Sequence, residues 1–140
     1  MLIQINKQMT SYDFTSVQTD ATSPSSIALS PYMPSSGAKS GKLVIAVQSA
    51  SFAGSNGIQI AILPAWKLSE ETIAVGPSSS PIAGLSLNAT TPGTTALILM
   101  SNDFNAIPAP GFVVMLYYTN TSRTTSCRVQ LQIAVELLPT

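Results

Sequence analysis

The chain has 140 residues, the size of one compact domain, and six Lys and Arg residues balance six Asp and Glu residues, so its net charge is zero. Charged residues make up 9% of the chain, against roughly 25% in an average soluble domain. A nucleic-acid-binding protein needs a basic stripe that neutralises phosphates, and this balance excludes one. Because little charge repulsion keeps copies apart, we expect a surface that is covered by neighbours or solvated by hydroxyl and amide groups.

The first forty residues differ in composition from the rest. Residues 9–40 are rich in Ser and Thr and contain Pro24, Pro31 and Pro34, with few apolar residues besides Ile27-Ala28-Leu29. We interpret residues 1–40 as an extended N-terminal arm with one or two short strands, and an irregular edge of the domain is the alternative. Residues 41–140 then form a β-sandwich domain.

After Gly41 the chain shows the period-two alternation that is typical of strands. Residues 43–47 and 58–62 resemble the two arms of a hairpin, and Pro64 ends the second arm. Helix-forming residues cluster only at 67–71, and five residues are too few for a stable helix, so we predict a loop there.

The second half of the chain repeats this pattern of short strands. Pro108 and Pro110 predict that residues 102–111 are a connection, because proline cannot donate to a central strand. Seven or eight strands without an amphipathic helix predict an all-β fold, an antiparallel sandwich or jelly roll. The further predicted strands are residues 72–75, 85–87, 95–100, 112–119 and 129–137.

The residues that most enzymes use are scarce. The chain has no His, the commonest general base and metal ligand. Its single cysteine, Cys127, excludes an internal disulfide and is expected to be a small buried residue. The acids are scattered and match no metal spacing. We therefore predict a protein that is not an enzyme and that binds no metal and no cofactor. The acids are Asp13, Asp20, Glu70, Glu71, Asp103 and Glu136.

Aromatic side chains are the remaining candidates for binding. An exposed Trp or Tyr can stack on a sugar ring, and amides can bond its hydroxyls, so a carbohydrate-binding module is the alternative function. That function would use Trp66, Tyr117, Tyr118 and Asn105. The simpler interpretation is that the aromatic residues cap the core or face a partner subunit. The candidate partner or subunit contacts are Tyr12, Phe14, Tyr32, Trp66, Phe104 and Tyr117.

The N-terminal residues lack the apolar run of a signal peptide, and no stretch reaches the ~20 apolar residues that a membrane-spanning helix needs. We therefore expect synthesis in the cytoplasm and no membrane contact.

A neutral surface rich in Ser and Thr, an N-terminal arm and a β-sandwich without catalytic residues suit a repetitive protein shell. In this combination the chain resembles the small head-decoration (cement) proteins of tailed bacteriophages and, more loosely, other jelly-roll virion proteins. The resemblance rests on overall composition and organisation, without a diagnostic motif. It implies a homo-oligomer, foremost a homotrimer, that sits on the virion surface and clamps a lattice of major capsid protein.

Overall fold

The computed structural model describes residues 1–14, 26–52, 57–77, 80–88, 98–119 and 127–138, and these residues form eleven β-strands and no helix. The first half of the chain contains β1 (Leu2–Gln4), β2 (Thr10–Phe14), β3 (Ser26–Ala28), β4 (Met33–Pro34), β5 (Ser40–Phe52) and β6 (Gly57–Ser69). The second half contains β7 (Thr72–Val75), β8 (Ala83–Asn88), β9 (Ile98–Phe104), β10 (Gly111–Thr119) and β11 (Cys127–Leu138).

The strands form two antiparallel sheets. In the first sheet, β1 and β2 lie end to end along β11, which is followed by β5 and β9. In the second sheet, β3 and β4 lie along β10, followed by β6, along whose other side lie β7 and β8. The strand pairs are nested along the chain: β1 and β2 pair with β11, β3 and β4 with β10, β5 with β9, and β6 with β7 and β8. The pairs β1 and β2, β3 and β4, and β7 and β8 each occupy one position in a sheet, so the eleven strands fill eight positions. Eight positions in this nested order form a jelly roll, and the predicted all-β sandwich is confirmed.

The core lies between the two sheets and is built by the alternation that the sequence displays. Strand β11 points Val129, Ile133 and Leu137 inward, and each is at most 2% exposed. Each fully buried aliphatic side chain of this kind stabilises the fold by about 1.5–3 kcal/mol. The other fully buried core residues include Leu43, Ile45, Ile58, Ile60, Ile62, Phe112, Leu116 and Leu131.

The edge strands along β11 and β10 are each broken in two, and at each of these breaks a polar side chain takes over the backbone's hydrogen bonding. Between β1 and β2, Asn6 Oδ1 accepts from the Ile133 N–H at 2.6 Å, while Asn6 Nδ2 donates to the Leu131 carbonyl at 3.0 Å. Between β3 and β4, Ser30 Oγ accepts from the Val114 N–H at 2.9 Å. Buried backbone groups need such partners, so these side chains allow the edges to bend.

All four strands β1 to β4 lie within residues 1–40. The described residues of this segment therefore supply edge strands to both sheets of their own chain, on β11 and on β10. The long strand β5 begins at Ser40.

Two segments predicted to be a loop and a connection are partly strand. Strand β6 continues through Pro64 to Ser69, so residues 67–69 are strand and not loop. The Pro64 carbonyl accepts from the Gly76 N–H at 2.7 Å, so the backbone of Pro64 faces the junction between β8 and β7. Proline has no N–H to donate, and no regular strand at this junction needs one, so β6 continues through Pro64. Strand β9 likewise runs to Phe104, because the prolines that end pairing begin only at Pro108.

Candidate functional site

One part of the second sheet extends beyond the sandwich as a two-stranded ribbon. The pairing of β10 with β6 ends where Gly111 lies opposite Ala65. Among the described residues, β6 from Trp66 onward pairs with β7 alone. We define the ribbon as residues 66–75. An isolated two-stranded hairpin is marginally stable in water, so an exposed ribbon benefits from a further contact.

The ribbon exposes apolar side chains on both faces. Trp66 is 40% exposed and Leu68 is 68% exposed. Ile73 and Val75 are 37% and 43% exposed and lie on the opposite face from Trp66, since their partners across the ladder are Lys67 and Ala65. The ribbon thus accounts for four of the seven large hydrophobic residues that are exposed in the described part of the chain.

The charges on the ribbon are at its tip and are partly paired. Lys67 Nζ lies 3.2 Å from Glu70 Oε2, and both side chains are well exposed. The backbone N–H of Glu71 donates to Ser69 Oγ at 3.3 Å. An exposed ion pair contributes little to stability, so the apolar side chains dominate what the ribbon can offer to a partner.

Three of the candidate contact residues pack against other residues of their own chain. Phe104 is 5% exposed and belongs to the core. Tyr12 packs against the core, and burial raises the pKa of its phenol, although hydrogen bonds with the Thr10 and Asn6 side chains oppose that shift. The Tyr32 ring lies against Gly111 so closely that any Cβ there would overlap it.

The other three candidates lie apart from one another. Trp66 is on the ribbon, and Tyr117 lies on β10 opposite Gln59. The backbone of Phe14 pairs with Cys127 at the end of β2, and its side chain lies outside the described part. The ribbon's Leu68, Ile73 and Val75 were not among the predicted contacts. The signal for Leu68 was present, because it continues the even-numbered apolar face of β6 beyond Pro64.

Trp66 and Tyr117, two of the residues proposed for carbohydrate binding, do not form one stacking platform. Trp66 lies seven positions along β6 from Gln59, the partner of Tyr117, which is about 23 Å at ~3.3 Å per residue. Trp66 and Gln59 also point to opposite faces of β6, because side chains alternate along a strand. The side chain of Tyr118 lies outside the described part.

Two shallow depressions of about 350 Å³ each lie among the described residues. The first lies between residues 35–38 and the end of β11, at Leu137 and Leu138. The second is lined by residues 80–82 together with Asn105, Ala106 and Pro108. Neither depression is lined by an Asp, Glu, Lys or Arg side chain, and the N-terminal ammonium of Met1, which lines the first, donates to the Leu137 carbonyl at 2.7 Å.

No three Cys, Asp or Glu side chains of the described residues come together in a way that could hold a metal ion. The described part of the chain also contains no helix that could cross a membrane.

No protein-family model matches the chain, and no curated protein matches it. Among solved structures, it is similar to the Clostridium thermocellum N-terminal endo-1,4-β-D-xylanase 10B, in a structure of its CBM22-1 and GH10 modules complexed with xylohexaose. The similarity covers 99% of this chain and 26% of that chain, with 12% sequence identity and a TM-score of 0.36. At that score the likeness carries no argument about function.

Proposed function

We propose that this chain is a non-enzymatic assembly protein that oligomerises and stabilises a protein shell, as a decoration (cement) protein does on the surface of a phage capsid. The observation that carries the proposal is the ribbon, which presents exposed apolar side chains on both faces of a projecting hairpin. The neutral composition supports it, because copies of the chain approach one another without net repulsion. The partners are other copies of the chain and the major capsid protein or another shell subunit.

The exposed area indicates how strong the association is. Burial of a large apolar side chain is worth about 1.5–3 kcal/mol, so completing the burial of the four half-exposed residues is worth about 1–2 kcal/mol each. Association itself costs an estimated ~4–15 kcal/mol in lost freedom of the partners. A symmetric pair buries eight such side chains, which contribute about 8–16 kcal/mol. The upper part of that range, set against the lower part of the association cost, leaves about 8 kcal/mol, which is a micromolar Kd, and further polar contacts on a shell would strengthen the association.

The test is the solution mass by light scattering over a series from about 1 to 100 µM, which spans Kd values of that order. We expect a symmetric homo-oligomer, and Ile73→Ser should shift it towards monomer. Leu138→Ser is the matched control, because Leu138 is 41% exposed, compared with 37% for Ile73, and lies at the end of β11, outside the ribbon. A chain that is monomeric at every concentration, or two variants with equal effects, would contradict the proposal.

The carbohydrate-binding alternative cannot combine Trp66 and Tyr117 on one sugar ring, given the distance between them. A glycan array distinguishes the two functions. Specific glycan binding by a monomer that is lost in Trp66→Ala would favour the alternative, whereas the assembly proposal expects no such binding.

A further inference from the structure

Strand β7 has an open edge. Among the described strands it pairs only with β6. The Gly76 N–H donates to the Pro64 carbonyl at 2.7 Å, so the backbone groups of Gly76 face β6. In an antiparallel ladder this direction alternates from residue to residue. The backbone N–H and C=O groups of Ile73 and Val75 therefore point away from β6, towards the open edge.

Strand β7 is short and its ladder with β6 has a bulge between Lys67 and Ser69, but the strand itself carries none of the side chains that block an edge. Its four residues, Thr-Ile-Ala-Val, include no charge and no proline, and Ile73 and Val75 are half-exposed. Charged side chains and prolines normally block such edges. Asp103 on β9 and Pro34 on β4 are such side chains on two other edges, whereas the three-residue edge strands β1 and β3 also lack them. On β8 the Gly84 N–H donates to Asn102 Oδ1 at 3.4 Å, so that part of the edge is engaged within the chain.

We propose that β7 pairs antiparallel with β7 of a second copy across a two-fold axis. This inference rests on the part of the proposed function that says the chain self-associates, and it specifies the strand through which two copies pair. With Ala74 opposite Ala74 of the second copy, Ile73 lies opposite Val75 of that copy, and the reverse. In each copy Ile73 and Val75 both direct an N–H and a C=O to the edge, so this register makes four hydrogen bonds between the copies. The second sheet of one copy then continues into the second sheet of the other.

The charges of the ribbon fit this self-pairing. Lys67 is already paired with Glu70 and lies on β6, one strand away from the axis. In the proposed register, Glu71 lies opposite Pro77 of the second copy, and the two Glu71 side chains lie at opposite ends of the new strand pair. No like charges are therefore placed together, while Ile73 and Val75 of both copies meet on one face. A two-fold contact also makes the number of copies even, a dimer or two trimers joined face to face.

The first experiment compares Val75→Pro with Val75→Thr by sedimentation equilibrium. Proline removes the outward N–H of residue 75 without removing a hydrogen bond to β6, and threonine keeps both the N–H and the branched side chain. We expect Val75→Pro to raise the Kd at least tenfold, which corresponds to about 1.4 kcal/mol, and Val75→Thr to change it by less than about threefold. A thermal melt checks that both variants fold.

The second experiment is cross-linking in a Cys127→Ala background, in case Val75→Pro fails to fold. In the proposed register, residue 74 and its copy form a non-hydrogen-bonded pair with Cα atoms about 4.5 Å apart, which suits a disulfide. Ala74→Cys should form a covalent dimer under mild oxidation. Thr72→Cys is the control, because its two copies would lie about 13 Å apart along the strand direction.

The outcomes separate this inference from the proposed function. A dimer or hexamer in which Ala74→Cys cross-links supports both. An oligomer in which Ala74→Cys and Thr72→Cys cross-link alike, or in which Val75→Pro has no effect, overturns the β7 pairing and leaves the assembly function standing. A monomer at all concentrations overturns both.

Discussion

Replacing Asn6 by alanine tests whether a side chain maintains the broken edge of the first sheet. The variant removes the acceptor of the Ile133 N–H, at 2.6 Å, and the donor to the Leu131 carbonyl, at 3.0 Å. Each unsatisfied buried backbone group costs about 1–3 kcal/mol, and both bonds are partly buried, so we expect Asn6→Ala to lower the free energy of unfolding by about 2–4 kcal/mol. In a domain of this size, each kcal/mol lowers Tm by roughly 3 °C.

The assay is urea denaturation at neutral pH, with Gln8→Ala as the control, because Gln8 lies in the same bend and its side chain is exposed. Asn6→Asp separates the two bonds. Its carboxylate still accepts from the Ile133 N–H, but it has no N–H to donate to the Leu131 carbonyl. We expect its stability to fall between those of the wild type and Asn6→Ala. A loss below about 0.5 kcal/mol for Asn6→Ala, the usual range of an exposed substitution, would refute the reasoning.

Three further predictions concern stability. Ser30→Ala leaves the fully buried Val114 N–H without its acceptor and should cost about 1–3 kcal/mol in a denaturant titration, whereas the exposed Ser101→Ala should cost almost nothing. Ser36 has a φ of 54° and precedes Gly37 with a φ of 80°, so Ser36→Asn should raise Tm by roughly 1–3 °C, because asparagine adopts this left-handed conformation more readily; an unchanged or lower Tm would contradict this. Burial raises the pKa of Tyr12, so the folded chain retains a proton that the unfolded chain loses near pH 10, and stability should fall as the pH rises above that value. Tyr12→Phe should flatten this alkaline loss in melts between about pH 9 and 11, and an unchanged slope would contradict the assignment.

The fold was largely predictable because burial on one face leaves a period-two pattern. Val129, Ile133 and Leu137 show this pattern and lie in the core. The extent of β6 was not predicted, because Pro64 indicated an end of the strand although the even-numbered apolar positions continue to Leu68. Its residues Ala61 and Leu63 are at most 1% exposed although they point away from the core cluster, so apolar residues follow one another without alternation.

The breaks in the edge strands could not be read from the sequence for a different reason. Asn6 bonds to Ile133, 127 positions away, and Ser30 bonds to Val114, 84 positions away. Asn and Ser are also common in ordinary loops, so nothing local distinguishes these two. The same limit applied to the partner contacts, because an aromatic residue such as Phe104 has the same local sequence signature whether it faces the core or a neighbour.

The nested order of the strands has a kinetic consequence. The first strand, β1, pairs with residues 134–136, so it lacks its partner until nearly the whole chain is available. Closing such a long loop costs conformational entropy before the contacts that compensate for it have formed, so the step is slow. Folds dominated by distant strand pairs typically fold in milliseconds to seconds. During that time the apolar strand β6 has only its sequence neighbours β7 and β8 as partners. We therefore expect folding of this chain to compete with aggregation, and refolding yield to fall as protein concentration rises.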